Sequence, residues 1–164
     1  MKKMSADVIG KTGTSERAAV PCQPRSLHHV GFIVDSIEAV AERFARSIGG
    51  TWDGTITSDP LQGVRVSFLG GSDAAATTVE LVEPAAADSP VGRFLERGGG
   101  LHHLCYEVED LEQELRYSRS VGGVVVRQPL PAAAFGGRRI AWVITKDKLV
   151  VEFLESMRTE SAAL

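Results

Sequence analysis

Two histidines and two glutamates recur along this 164-residue chain at a nearly constant spacing. Glu80 follows His29 by 51 residues, and Glu152 follows His103 by 49. Two imidazoles and two carboxylates form a ligand set of intermediate softness for a divalent transition metal, and they leave coordination positions free for a substrate. The sequence therefore predicts one metal centre with His29, His103 and Glu152 as ligands. Glu80 is either the fourth ligand or a group that holds a ligating histidine or a water molecule.

The segments around these residues repeat as well. The sequence LHHV at 27–30 recurs as LHHL at 101–104, and VELV at 79–82 recurs as VEFL at 151–154. Self-similarity of this kind predicts two copies of one supersecondary unit. If the two copies pair about a pseudo-two-fold axis, the four candidate ligands converge on one point.

The hydrophobic periodicity and the turn residues of each half predict the element order β-α-β-β-β. In the first half, a strand at 27–34 precedes a helix that Asp35-Ser36 caps and Gly49-Gly50 ends, and strands follow at about 51–57, 64–69 and 77–82. In the second half, a strand at 101–108 precedes a helix between Asp110 and Gly122-Gly123, and strands follow at 123–127, 139–145 and 149–155. A short helix is expected near 90–97.

The alternation of side chains along the strands supports the choice of ligands. Because successive residues point to opposite faces of a sheet, His29 and His103 lie on a different face from His28 and His102. We expect His28 and His102 to be structural or to support the ligands. Both glutamates stand between apolar neighbours, so each carboxylate projects away from a hydrophobic face.

Composition is typical of a single globular domain, with 43% hydrophobic and 24% charged residues. The net charge of −3 gives no electrostatic reason to expect nucleic acid as a partner. The first 25 residues have no apolar signal-peptide core, and no run of 18 apolar residues follows, so we expect a cytoplasmic protein with no membrane partner. Cys22 and Cys105 are not expected to form a disulfide.

The predicted domain organisation has three parts. Residues 1–25 are expected to form a flexible leader, residues 26–156 a single domain, and residues 157–164 a tail. The domain consists of two modules, at 27–82 and 101–155.

Several stretches resemble one protein family. They are LHHVG at 27–31, QGVRV at 62–66, VEL at 79–81, and SPVGRFL at 89–95 leading into GLHH at 100–103. The pattern resembles the vicinal oxygen chelate superfamily, which is also called the glyoxalase/bleomycin resistance/dioxygenase superfamily. Within it, the chain is similar to the methylmalonyl-CoA epimerases over residues 27–155.

This resemblance implies an α+β fold in which two βαβββ modules form a cupped mixed sheet around the metal. It implies a metal-dependent isomerase that epimerises methylmalonyl-CoA or a related 2-substituted acyl thioester through a metal-stabilised enolate and α-proton transfer. The implied cofactor is a divalent ion (Co, Mn, Ni, Zn or Fe), and small proteins of this scaffold usually form homodimers.

The sequence departs from the epimerase pattern at Leu61, where those enzymes carry a catalytic glutamate. Asp59 is an alternative base, although Asp59-Pro60 also fits a simple turn. Glu80 and Glu152 are then the candidate catalytic bases, in addition to being candidate ligands.

A second departure is the pair Arg138 and Arg139, which follows two glycines. Arginines in such a loop suit the binding of an anionic substrate, and they equally suit a solvated hairpin.

Two other functions remain open. One is a glyoxalase I-like lyase, or another metalloenzyme of this scaffold with a different small anionic substrate. The other is a non-catalytic protein that binds small molecules, as resistance proteins of this fold do. The presence of all four candidate ligands argues against the non-catalytic alternative.

Overall fold

The computed structural model describes residues 20–71 and 78–157 of the chain. The segments 1–19 and 158–164, which make up most of the predicted leader and tail, lie outside the described residues, as does the loop 72–77.

The described residues form one nine-stranded mixed sheet with short helices. The strands are β1 (Ser26–Ile33), β2 (Thr51–Trp52), β3 (Thr57–Asp59), β4 (Val64–Gly70), β5 (Thr78–Pro84), β6 (Gly100–Val108), β7 (Val124–Pro131), β8 (Arg139–Ile144) and β9 (Val150–Glu155). The helices are α1 (Ile37–Ser47), α2 (Gly92–Glu96), α3 (Leu111–Ser120) and a 3-10 turn at Ala133–Phe135.

The sheet has the internal symmetry that the sequence repeat predicts. Its strand order is β2-β4-β5-β1-β6-β9-β8-β7, and β3 also pairs with β4. The first strands of the two modules, β1 and β6, form an antiparallel pair at the centre. Each of them runs parallel to the last strand of its own module, β1 to β5 and β6 to β9. A pseudo-two-fold axis therefore passes between β1 and β6.

Helices α1 and α3 cover one face of this sheet and leave the other face free for a site. Ser36 caps α1 by accepting a hydrogen bond from the Ala39 N–H, and Asp110 caps α3 in the same way from Gln113. The buried face of α1 packs on Leu69 and Leu81, and that of α3 packs on Val143, Val151 and Phe153. Because strand residues alternate, the neighbours of Leu81 and Phe153 point to the opposite face.

The structure differs from the predicted strands in two places. The predicted strand at 51–57 is interrupted, because Asp53 accepts a hydrogen bond from the Thr55 N–H and Gly54 adopts a φ of +82°. The strand predicted at 123–127 continues as β7 to Pro131. Proline is tolerated there because β7 is an edge strand.

The last residues of the predicted leader contact the second module. The Gln23 side chain accepts hydrogen bonds from the Glu109 and Asp110 N–H groups, and it donates one to the Asp110 carbonyl. Arg25 pairs with the fully buried Glu114 of α3 at 2.6 Å. The described part of the predicted leader is therefore attached to the domain, which its polar composition did not indicate.

Candidate metal centre

The four candidate ligands lie on four adjacent strands at the centre of the sheet. Glu80 is on β5, His29 on β1, His103 on β6 and Glu152 on β9, and all four side chains are buried. One donor atom from each lies within 4.8 Å of the donors of the other three. The structure thus brings together residues that are up to 123 positions apart in the chain.

The distances between donor atoms suit a single ion. The two Nε2 atoms of His29 and His103 lie 3.2 Å apart. The Oε2 atom of Glu152 lies 3.2 Å from His29 Nε2 and 3.6 Å from His103 Nε2, and the Oε2 atom of Glu80 lies 3.3 and 3.4 Å from the same atoms. Ligands held about 2.1 Å from a tetrahedral ion are roughly 3.4 Å apart. Glu152 Oε2 is also buried without a hydrogen bond within the described structure, as a donor atom reserved for a cation would be.

Two small residues create the space in which the ligands converge. Gly31 is the register partner of Glu80 on one side and of His103 on the other. Cys105 holds the equivalent place in the second module, between His29 and Glu152. The sequence analysis missed both roles. The signal was a glycine inside a strand, which often marks a close approach by a neighbouring group.

The second histidine of each pair contacts the ring of the ligand beside it. His28 Nδ1 lies 2.9 Å from His29 Nδ1, and His102 Nδ1 lies 3.1 Å from His103 Nδ1. These contacts direct the Nε2 atoms of His29 and His103 toward the centre. Histidine ligands of metals usually have such an outer partner, which fixes the ring and its tautomer.

Burial and neighbouring charge keep the outer histidines neutral. Burial, together with the neighbouring His29, lowers the pKa of His28. Burial and His103 lower the pKa of His102 to about 4. A neutral imidazole has one nitrogen that can accept a hydrogen bond, so each outer histidine can accept the Nδ1–H of the ligand histidine.

The charged side chains of the candidate centre shift one another's pKa values strongly. Burial alone would lower the pKa of His29, but close contacts with Glu152 and Glu80 raise it to about 9. Burial alone would raise the pKa of Glu80, but contacts with His103 and His29 lower it. An imidazolium held between carboxylates shows that this position favours positive charge, which a divalent ion also supplies.

A cavity of about 350 Å³ opens over the centre. Its walls are mainly apolar and come from both modules, and they include Val64, Val66, Ile140 and Trp142. Glu80, His103 and Glu152 form part of its surface. An apolar cavity with a few polar groups at one end is the usual form of a small-molecule site.

Asp59 lines this cavity, but its carboxylate is engaged by the backbone. Oδ1 accepts a hydrogen bond from the Gln62 N–H at 3.0 Å, and Oδ2 accepts one from the Ala133 N–H at 2.7 Å. These bonds fix the turn after β3 and tie it to the 3-10 turn. They favour the structural interpretation of Asp59 over its use as a base.

Leu61 is 56% exposed and does not line the cavity, whereas the next residue, Gln62, does. The position at which the epimerase resemblance implies a base thus carries an apolar side chain that points away from the candidate centre. The carboxylates beside the candidate centre are those of Glu80 and Glu152.

Arg138 and Arg139 do not line the cavity in the described structure. Arg138 Nε donates a hydrogen bond to the Glu155 carbonyl, and its guanidinium lies 3.0 Å from Glu107. Arg139 pairs with both Glu112 and Glu155. The structure brings the four predicted ligands together and does not bring the two arginines to them.

A family model matches most of the chain. The chain belongs to the glyoxalase/bleomycin resistance protein/dioxygenase superfamily, whose model matches residues 28–142. This result and the two-module sheet confirm the predicted family and fold class.

No helix within the described ranges is long and apolar enough to cross a membrane.

Individual relatives within this superfamily are epimerases of acyl-CoA thioesters. The chain is 32% identical over 123 residues to the ethylmalonyl-CoA/methylmalonyl-CoA epimerase of Cereibacter sphaeroides, covering 74% of this chain and 89% of that protein. It is similar to the structure of methylmalonyl-CoA epimerase from Mycobacterium tuberculosis, with a TM-score of 0.69 and 27% identity over 84% of this chain and 91% of the other. A Streptomyces coelicolor methylmalonyl-CoA epimerase variant in complex with 2-nitronate-propionyl-CoA has a TM-score of 0.67 and 26% identity, with coverage of 84% and 100%.

Proposed function

We propose that this protein is a metal-dependent isomerase that moves the α-proton of methylmalonyl-CoA or a related 2-substituted acyl thioester. The observation that carries the proposal is the convergence of His29, Glu80, His103 and Glu152 at the base of one apolar cavity. The similarity to epimerases over most of the chain supports the substrate class.

The proposed metal ligands are His29, His103 and Glu152, with Glu80 as a fourth and more labile ligand. A divalent ion, when bound, supplies positive charge that makes the α-proton of the substrate more acidic. The chain's own residues do the remaining work. The apolar walls exclude water, and His28 and His102 hold the ligand rings in place.

Glu80 is the proposed base. It lies at the cavity surface on the side of the first module, where its carboxylate can take a proton from a carbon atom held above the centre. Glu152 lies on the side of the second module and is the second candidate. Leu61 cannot accept a proton, so a base on these two strands must serve.

Solvent exchange tests the proposal directly. Metal-loaded protein is incubated in D2O with methylmalonyl-CoA, and deuterium at the α-carbon is followed by mass spectrometry. We expect catalysed incorporation, because a base that has removed the α-proton exchanges it with D2O and can return a deuteron to either face of the α-carbon. Methylglyoxal with glutathione is the matched alternative substrate pair. Turnover of methylglyoxal and glutathione, with no exchange into methylmalonyl-CoA, would show that the protein is a glyoxalase I-like lyase and not an isomerase.

We also propose that the protein is a cytoplasmic homodimer. Edge strand β7 carries the exposed side chains of Val124 and Val126, which a second subunit could cover. Sedimentation at micromolar concentration should give twice the chain mass of 17.5 kDa. A mass of one chain would contradict the dimer.

A further inference from the structure

We propose that Gln62 is a positioning residue whose side-chain amide donates a hydrogen bond to a carbonyl or carboxylate oxygen of the molecule bound at the metal centre. The inference rests on the proposed function, because it assumes that an acyl thioester or another oxygen ligand occupies the cavity.

The backbone of Gln62 is fixed in place. Its N–H donates to Asp59 Oδ1, and the next residue, Gly63, adopts a φ of +70° and donates its N–H to the Asp59 carbonyl. Asp59 is itself bound to the Ala133 N–H of the second module. The turn that carries Gln62 is therefore held between both modules, which is the rigidity expected of a positioning group.

The side chain of Gln62 has an unused donor. Gln62 is 8% exposed and lines the cavity, and its Nε2 atom has no hydrogen-bond partner among the described residues. A buried amide nitrogen without a partner is rare in folded proteins and calls for an explanation. A bound molecule with an oxygen acceptor supplies the missing partner.

The other cavity residues with charged or ionisable side chains already have partners or roles. Asp59 accepts two backbone N–H groups, Arg127 donates to the Leu61 carbonyl, and His102 contacts His103. The two glutamates and His103 belong to the metal set. The Gln62 amide is thus the cavity group best suited to orient a ligand without binding the metal.

The chemical class of the ligand follows from the donor. An amide N–H is neutral, so it fits a carbonyl oxygen or a carboxylate oxygen and does not discriminate by charge. A malonyl-type group carries both kinds of oxygen. Malonate is therefore a probe of Gln62 that is independent of whether the protein turns over methylmalonyl-CoA.

The test compares Gln62→Met, which removes the donor at similar length, with Gln62→His, which keeps an N–H donor. Gln128→Met is the matched control, because Gln128 is exposed and outside the cavity. Calorimetry on Zn²⁺-loaded protein measures malonate affinity. Gln62→Met should weaken it about tenfold, in line with one lost hydrogen bond to a charged acceptor. Gln62→His should retain most of the affinity, and Gln128→Met should match the parent.

Stability and amide spectra separate positioning from a structural role. The melting temperature of metal-free Gln62→Met should stay the same or rise, because the variant no longer buries an unpaired donor. The Gln62 side-chain signals in a ¹H–¹⁵N spectrum, identified by their absence in Gln62→Met, should shift when malonate is added. Unshifted signals, or unchanged malonate affinity in Gln62→Met, would overturn the inference.

Failure of the proposed function gives a different result. If the parent protein shows no solvent exchange with methylmalonyl-CoA while malonate still shifts the Gln62 signals, the substrate assignment fails and the role of Gln62 stands.

Discussion

Gly31 lies directly opposite His103 in the β1–β6 pair, and the absence of a side chain at position 31 makes room for the His103 ring. A Cβ atom on residue 31 would lie 1.9 Å from His103 Cε1, far inside the sum of their radii. The His103 ring therefore occupies the space that the side chain of any other residue at position 31 would fill.

The substitution Gly31→Ala should consequently displace the His103 ring. The metal affinity should fall by about tenfold to 100-fold, which is the range found when the groups around a metal ligand are changed. Competition with a chromophoric chelator measures the affinity. Cys105→Ala is the matched control, because it shortens the side chain at the symmetry-related position and pushes on no ligand. A metal affinity of Gly31→Ala equal to that of the parent protein would show that the His103 ring can move aside without loss of metal binding.

Glu80→Gln separates metal binding from proton transfer. Glutamine keeps an oxygen ligand and the shape of glutamate but has no basicity, so the variant should keep most of its metal and lose solvent exchange by at least about 100-fold. Metal content is measured on the same preparation as exchange.

The comparison variant for Glu80→Gln is His103→Ala, which should lose metal and exchange together. Exchange at the parent rate in Glu80→Gln protein would remove Glu80 as the base and make Glu152→Gln the next variant to test.

Metal binding should release protons near neutral pH. The pKa of His29 is about 9 in the protein without a cation, so its imidazole is protonated at pH 7. A metal binds only the neutral ring, and binding must displace about one proton per ion. The apparent affinity should then rise with pH up to about 9 and level off above it.

Calorimetry in buffers of different ionisation enthalpy counts these protons. An affinity that does not change between pH 6 and pH 9 would show that His29 is already neutral before the metal binds.

Arg25 should contribute to stability, although it precedes the first strand. Its guanidinium makes two hydrogen bonds to Glu114, whose side chain is fully buried. Arg25→Met leaves this carboxylate buried without a cation and should lower the free energy of unfolding by about 3 kcal/mol. Urea denaturation measures the change.

The double variant Arg25→Met/Glu114→Leu is the control for Arg25→Met, since it removes both charges and should recover much of the loss. If the double variant were as unstable as the single one, packing rather than the uncompensated charge would be responsible.

The sequence predicted that His29, Glu80, His103 and Glu152 converge because their signal is local and repeated. Strand alternation places Glu80 and Leu81 on opposite faces, and the same rule applied to Glu152 and Phe153 gives the same answer in the second module. The repeat then indicates that the two halves share one centre. Both arguments need only the spacing of residues along the chain. The structure places Glu80 and Glu152 on the sheet face that they predict.

The surroundings of the centre could not be predicted in this way. The ion pairs of Arg139 join residues from α3 and β9, and the anchoring of Asp59 depends on a backbone group 74 positions away. Such contacts depend on how loops return to the sheet, which no short pattern specifies. The sequence therefore left the loop arginines open as substrate-binding groups or solvated residues, and it left Asp59 open as a turn residue or a base.

The seam between β1 and β6 has a consequence for how the centre is assembled. Each module carries one histidine and one glutamate of the set, so a single module holds half of the proposed metal ligands. Two separate modules would have to meet at ordinary cellular concentrations before either could hold an ion. Because both modules lie in one chain, the effective concentration of one module near the other is far above that of a free partner in solution. The four side chains therefore come together as soon as the chain has folded.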